Sequence, residues 1–148
     1  APIMGLGTHF GLILVYLGGS IGFNSWLIKG FMDTISPSLD EAAKVDGATE
    51  YQIFSKIIAP LARPILVVIF VITFIGIYSD YILAAIFLKD KNLWTVAVGI
   101  NTVFVDDFNA DWGVIAASSV IAATPIAVLF VFFQKQITGG LTAGSVKG

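Results

Sequence analysis

The chain has 148 residues, 57% of them hydrophobic and only 12% charged, with a net charge of −2 and a mean hydropathy of +0.91. A soluble domain spends about a quarter of its residues on Asp, Glu, Lys and Arg, so most of this surface faces something other than water. The missing basic excess excludes a nucleic-acid partner held by phosphate neutralisation, and the absence of cysteine excludes disulfide frameworks, iron–sulfur clusters and thiolate zinc sites.

The first element is an uncharged run of nineteen residues, 10–28, between His9 and Lys29. About 20 apolar residues cross roughly 30 Å of hydrocarbon, so a membrane span is expected here, with Thr8 as its N-cap. Within it Tyr16, Ser20 and Asn24 fall at i, i+4 and i+8 and form one polar stripe, which in lipid must face protein or water. Either these residues line a translocation path or they bond to a neighbouring helix. Gly18 and Gly22 make a small-xxx-small pair on an adjacent face, where another helix can approach closely.

Residues 29–63 follow, thirty-five positions punctuated by two capping boxes, Ser38-Leu39-Asp40-Glu41 and Thr49-Glu50-Tyr51-Gln52. The first predicts a helix from Leu39 to about Asp46, ended by Gly47 in the left-handed C′ position; the second predicts one from Glu50 towards Pro60. On the first helix Leu39, Ala42, Ala43 and Asp46 share a face whose alanines leave little side chain between backbone and neighbour. Close docking is one reading of that face, and alanine as a good helix former at a surface is the other.

Residues 64–88 form the second expected span, charged only at Asp80, with Pro64 suited to a first turn where its missing amide costs nothing. Asp80 would stand about 24 Å up a core about 30 Å thick, near one interface, flanked by Tyr78 and Tyr81 as in an aromatic belt. It makes either an interfacial or inter-subunit contact or part of a pathway. In the loop 89–112, Leu93, Val96, Ala97, Ile100, Val103 and Phe104 recur at helical spacing and predict a short interfacial helix, followed by a turn-rich stretch from Asp106 to Asp111. Residues 113–133 are a third uncharged span, twenty-one positions with Pro125 past the middle, a residue that membrane helices tolerate. Ser119, Ala123 and Ala127 make a narrow packing face on it. The Gly/Thr/Ser-rich tail, 138–148, is expected to be extended or flexible.

Lysine and arginine orient the spans. Residues 29–63 carry Lys29, Lys44, Lys56 and Arg63 and the tail carries Lys135 and Lys147, whereas the 89–112 loop has only Lys89 and Lys91. The positive-inside bias places the first two segments in the cytoplasm and the loop outside. An outward start before three spans points to a C-terminal fragment with helices upstream. Gly18-Gly19-Ser20-Ile21-Gly22 matches the nucleophile-elbow pattern, but that motif needs a strand–turn–helix setting. His9, the single histidine, would lie about 16 Å from Ser20 on one helix, too far to act as its base. No Gly-Lys-Ser/Thr of a phosphate-binding loop is present, so the protein is read as a non-enzyme whose driving energy would come from another subunit.

The cytoplasmic segment also carries a resemblance. Glu41-Ala42-Ala43, three residues, Gly47, nine residues and Ile57-Ile58-Ala59-Pro60 is similar to the EAA loop of binding-protein-dependent ABC importer permeases, EAA-x3-G-x9-I-x-L-P, with Ala59 where the family has leucine. The run from Gly140 to Gly148 resembles the carboxyl end of maltose-type sugar permeases, and Tyr16-Leu17-Gly18-Gly19 with Trp26-Leu27-Ile28-Lys29-Gly30-Phe31 resembles their span before the EAA loop. Essentially the whole chain fits the C-terminal half of that family.

The resemblance implies an all-α polytopic membrane protein of three transmembrane helices with a cytoplasmic coupling helix-turn-helix, located in the inner membrane. Its implied partners are a second permease subunit, two cytoplasmic ATPase subunits, an extracytoplasmic solute-binding protein and the lipid bilayer; no cofactor is implied. Glu41, Ala42, Ala43 and Gly47 would be the ATPase-docking core, with Ile57 and Pro60 completing the motif and Glu41 meeting a basic residue. Thr142, Ala143, Gly144 and Lys147 would belong to a tail that reaches between the ATPase subunits. The stretch Val105–Trp112 takes the place of a loop that probes the binding protein, with Asp106, Asp107, Asn109 and Trp112 as candidate contacts. The implied function is ATP-driven import of a sugar or oligosaccharide. The alternatives are an ABC importer permease for a non-sugar solute and an ion-gradient-driven carrier, which would require charged or unwound positions at mid-membrane.

Overall fold

A computed structural model describes Gly5, residues 7–105 and residues 112–143. Among these residues every regular element is helical: α1 (His9–Met32), α2 (Pro37–Val45), α3 (Glu50–Ile53), a π turn (Phe54–Ile58), α4 (Ala59–Tyr78), α5 (Ile82–Phe87), a 3-10 turn (Lys91–Leu93), α6 (Val96–Val105) and α7 (Trp112–Ala143). Three stretches, His9–Met32, Glu50–Tyr78 and Trp112–Gln136, are helical, long and apolar enough to cross a membrane. Their large apolar side chains are turned outward: Trp26 is 70% exposed, Ile121 71% and Phe132 74%. Contiguous exposure of this kind marks surface made for lipid or partner helices, where no hydrophobic driving force pushes side chains inward.

The chain divides into two units, Ala1–Ile21 with Val71–Phe132, and Gly22–Phe70 with Phe133–Gly148. In the first, Leu12, Ala84, Leu88 and Val98 form a small buried core, with Tyr16, Phe87, Leu93 and Trp94 packed against it. Thr8 caps α1 as expected, its hydroxyl accepting from the Gly11 amide at 3.1 Å while donating to the Gly5 carbonyl at 2.9 Å. Gly11 is required there, because a Cβ would stand 2.7 Å from the Gly5 carbonyl oxygen. His9 Nε2 lies 2.8 Å from the Leu93 carbonyl oxygen and ties the start of α1 to the turn before α6. That helix begins at Val96, so Leu93 belongs to the preceding 3-10 turn and not to the helix its spacing suggested.

The second expected span is corrected at both ends. Pro64 is inside α4 and not in a first turn, because α3, the π turn and α4 run as one 29-residue helix from Glu50 to Tyr78. The helix expected to stop at Pro60 therefore continues into the membrane. In the π turn the Ala59 amide reaches back five residues to the Phe54 carbonyl, a widened geometry that takes up the local mismatch ahead of a proline lacking its own donor. At the far end α4 stops at Tyr78, not Leu88. The Asp80 amide closes a tightened turn onto Ile77 at 3.2 Å, and the Asp80 carboxylate accepts from the Leu83 amide at 3.1 Å in the first turn of α5, which follows the Tyr81 N-cap.

In the second unit Phe70 and Phe133 meet edge to face with centroids 5.8 Å apart, a favourable aromatic geometry. α7 holds Pro125 within its length, and the hydroxyl of Thr124 bonds back to the Val120 carbonyl at 2.8 Å. It also runs on to Ala143, so residues 138–143 of the tail are helical where an extended segment was expected. Each glycine of the Gly139–Gly140 pair costs a helix only about 1 kcal/mol relative to alanine.

Candidate functional site

The EAA-like segment is built by local hydrogen bonding. Its first helix starts two residues before the sequence pattern indicates. Ser36 is the N-cap, its hydroxyl accepting from the Ser38 amide at 3.4 Å, and Pro37 occupies the first helical position. The Ser38–Glu41 capping box therefore does not form, because proline, with its φ preset for helix and no amide to satisfy, is the better first residue. Glu41 is left with no ion-pair partner among the described residues. The carboxyl end is as expected: Gly47 has φ +79°, its amide donates to the Lys44 carbonyl and the Ala48 amide to the Ala43 carbonyl, both at 3.0 Å. These two bonds make a Schellman motif.

The second capping box does form. The Thr49 hydroxyl accepts from the Gln52 amide at 3.3 Å, and the Gln52 side chain accepts from the Thr49 amide at 2.9 Å. Lys44 then joins the two helices, reaching Asp40 at 2.8 Å and Glu50 at 3.1 Å. Hydrogen bonds to Asp40, and next to Glu50, hold the Lys44 ammonium above its ordinary pKa. Because α2 has only nine residues, too few for an isolated helix in water, its two caps and the contacts beneath it are what hold its shape.

One face of α2 is open. Ser38, Glu41, Ala42 and Val45, at i, i+3, i+4 and i+7, are all exposed, and Val45 is 87% so. Ala43, one residue on from Ala42 and so about 100° around the helix, is buried. The shared alanine face read from the sequence is thus split, with Ala42 outward and Ala43 inward. Beneath α2 a cavity of about 200 Å³ is lined by Met32, Ile35, Leu39, Ile53, Ile57 and Ile58 among others, which places Ile57 against the chain's own residues while Pro60 is exposed. Val45, Tyr51 and Phe54 are exposed apolar neighbours that the sequence reading missed; the i+4 spacing of Val45 from Glu41 was the available signal.

The polar stripe of α1 faces inward. Tyr16, Ser20 and Asn24 are each partly buried on a helix whose other residues are mostly exposed. The Tyr16 ring packs on the first unit's core, and its buried hydroxyl has no hydrogen-bond partner within range. Asp80 itself is not a charge inside a continuous span, since it lies in the break between α4 and α5. Residues 18–22, the nucleophile-elbow match, lie within α1 and have the wrong backbone for that role. Trp112 opens α7 and is 79% exposed. Thr142 and Ala143 fall in the last turn of α7; Asp106, Asp107, Asn109, Gly144 and Lys147 lie outside the described residues.

Three apolar helices, with a capped helix that has one exposed face between the first two, define a polytopic membrane component. Residues 3–141 match the family of binding-protein-dependent transport system inner membrane components, and the chain belongs to that family. It is 46% identical over 147 residues to the maltose/maltodextrin transport system permease protein MalG of Vibrio vulnificus (strain YJ016), 45% identical to that of Photorhabdus laumondii and 44% identical to that of Escherichia coli (strain K12). Each alignment covers 99% of this chain and 49% of the relative, so the chain spans about half the length of the curated relatives it matches.

Proposed function

We propose that this chain is part of the transmembrane permease of an ATP-driven importer for sugars of the maltose and maltodextrin class, with α2 as the element through which separate ATPase subunits act. The observation that carries the reading is the exposed Glu41–Ala42 face on a helix capped at both ends and cross-linked by Lys44 to the start of the long helix Glu50–Tyr78. A short helix fixed in this way moves as a rigid body, and because α3 continues into α4 through the π turn, a push on α2 has a direct route into a span. The names of the relatives support maltose-type cargo over a non-sugar solute. Against a carrier driven by an ion gradient stands Asp80, whose carboxylate is engaged in starting α5.

The proposed assembly contains a second permease subunit, two cytoplasmic ATPase subunits and an extracytoplasmic solute-binding protein. Tyr16, Ser20 and Asn24 are the proposed pathway residues and Trp112 a proposed contact for the binding protein. Affinity purification of the permease from membranes is expected to bring down an ATPase subunit, and maltodextrin uptake is expected to stop when ATP is depleted with the proton gradient maintained. Uptake that follows the gradient and ignores ATP would overturn this reading.

The lysine distribution further supports a cytoplasmic position for 29–63 and an outer position for the loop after α5. These 148 residues hold no cysteine, so single cysteines placed in them report cleanly once any cysteine elsewhere in the full-length permease has been replaced. A membrane-impermeant thiol reagent added outside is expected to label a cysteine at Asn92 and to reach one at Lys44 only after the membrane is opened. The reverse pattern would invert the topology and separate α2 from any cytoplasmic ATPase.

A further inference from the structure

We infer that the groove between α4 and the end of α7 is a binding site for one anionic phospholipid. The groove has a volume of about 450 Å³ and is lined by Arg63, Leu66, Val67, Phe70, Phe133 and Gln136. The four α4 residues stand at i, i+3, i+4 and i+7, so they form a single stripe along the helix. Arg63 begins this stripe and Phe70 lies about 10 Å further along the axis, where it meets Phe133 edge to face. The polar lining is therefore at one end, Arg63 on α4 and Gln136 one turn beyond Phe133 on α7, and the rest of the groove is hydrocarbon. Arg63 is also the last charge before the uncharged run 64–79, which sets its guanidinium at the depth where phospholipid headgroups sit, whichever side of the membrane that is.

Charge complementarity decides the class of occupant. Arg63 is exposed and has no ion-pair partner among the described residues, and no carboxylate lines the groove. A guanidinium offers a planar fork to a phosphodiester. The ammonium of a zwitterionic headgroup would find no acceptor of opposite charge, whereas an anionic glycerol headgroup leaves only hydroxyls to place and Gln136 to meet them. One acyl chain then lies along Leu66, Val67 and Phe70 and against Phe133. Basic positions at the ends of membrane helices next to an apolar groove are where anionic lipid is favoured over neutral lipid.

The test uses the full-length permease that carries this chain, in its assembled transporter, reconstituted into nanodiscs of phosphatidylcholine with a minority of phosphatidylglycerol. Lipid kept by the complex through stepwise delipidation is counted by native mass spectrometry, and a photoreactive residue at Leu66 identifies what fills the groove. Phosphatidylglycerol is expected to be enriched over phosphatidylcholine among the retained lipids, Arg63→Gln is expected to lower its retention about fivefold, Arg63→Lys is expected to keep most of it, and the Leu66 probe is expected to capture lipid. Equal retention of the two lipids, or retention unchanged by Arg63→Gln, overturns the site. So does capture of a protein segment by the Leu66 probe, which would show the groove closed by the partner permease or by another part of the longer chain. Should Arg63→Gln fail to assemble, the parent's Leu66 cross-link and lipid ratio decide the matter by themselves.

Discussion

Proline at Gly47 is expected to abolish sugar uptake while the subunit stays inserted in the membrane. Gly47 has φ +79°, and proline is confined near −65°, so the turn after α2 cannot form. The substitution also removes the Gly47 amide that donates to the Lys44 carbonyl at 3.0 Å. A residue incompatible with its native backbone costs more than about 1 kcal/mol, and a nine-residue helix resting on its caps has little to set against that. The spans begin outside this turn and keep their own hydrogen bonds, so insertion survives. Glu41→Lys separates loss of shape from loss of the proposed docking: Glu41 is exposed and unpaired among the described residues, so the helix persists while the charge on the proposed docking face is reversed. Membrane level, ATPase association and uptake are measured together for both variants. Normal uptake by both would remove α2 from the coupling role.

The first and third apolar helices are legible because nothing else explains nineteen and twenty-one uncharged residues in a row, and the second because Asp80 is the single charge between Arg63 and Lys89; the glycine and threonine signals around α2 are legible because each acts within four residues of itself. The errors share a cause. Local rules make proline a helix boundary, yet Pro37 begins α2 and both Pro60 and Pro64 lie inside the continuous helix Glu50–Tyr78. A proline breaks a helix only if the freed carbonyl and the ring clash cannot be absorbed, and for Pro60 the carbonyl four residues back, that of Lys56, lies in the widened π turn Phe54–Ile58; no local sequence rule announces a π turn. The split between Ala42 and Ala43 has a different origin. Helical periodicity gives which residues are adjacent around the axis but not which of them the rest of the chain covers, and the apolar cavity under α2 that settles it is lined by residues from Met32 to Ile58.

Asp80 was the other place where hydropathy misled, and it gives the second prediction. An apolar stretch broken by one carboxylate reads as a continuous span to Leu88 with an acid near one interface, whereas α4 ends at Tyr78 and the carboxylate accepts from the Leu83 amide at 3.1 Å in the first turn of α5. A capping acid acts through an oxygen acceptor, and asparagine supplies the same acceptor without charge. Asp80→Asn is therefore expected to leave membrane level and ATP-dependent uptake near those of the parent. Asp80→Leu removes the acceptor and is expected to lower thermal stability by about 1 kcal/mol, with a larger loss of uptake, because α5 carries Ala84 and Leu88 follows it, and both are wholly buried in the core that also holds Leu12 and Val98. A charge needed for ion coupling gives the opposite order, with Asn as damaging as Leu in transport but harmless to stability. Thermal melting in detergent and uptake in vesicles, run on both variants, distinguish the two outcomes. Loss of uptake in Asp80→Asn with unchanged melting would move Asp80 from a capping residue to a pathway residue.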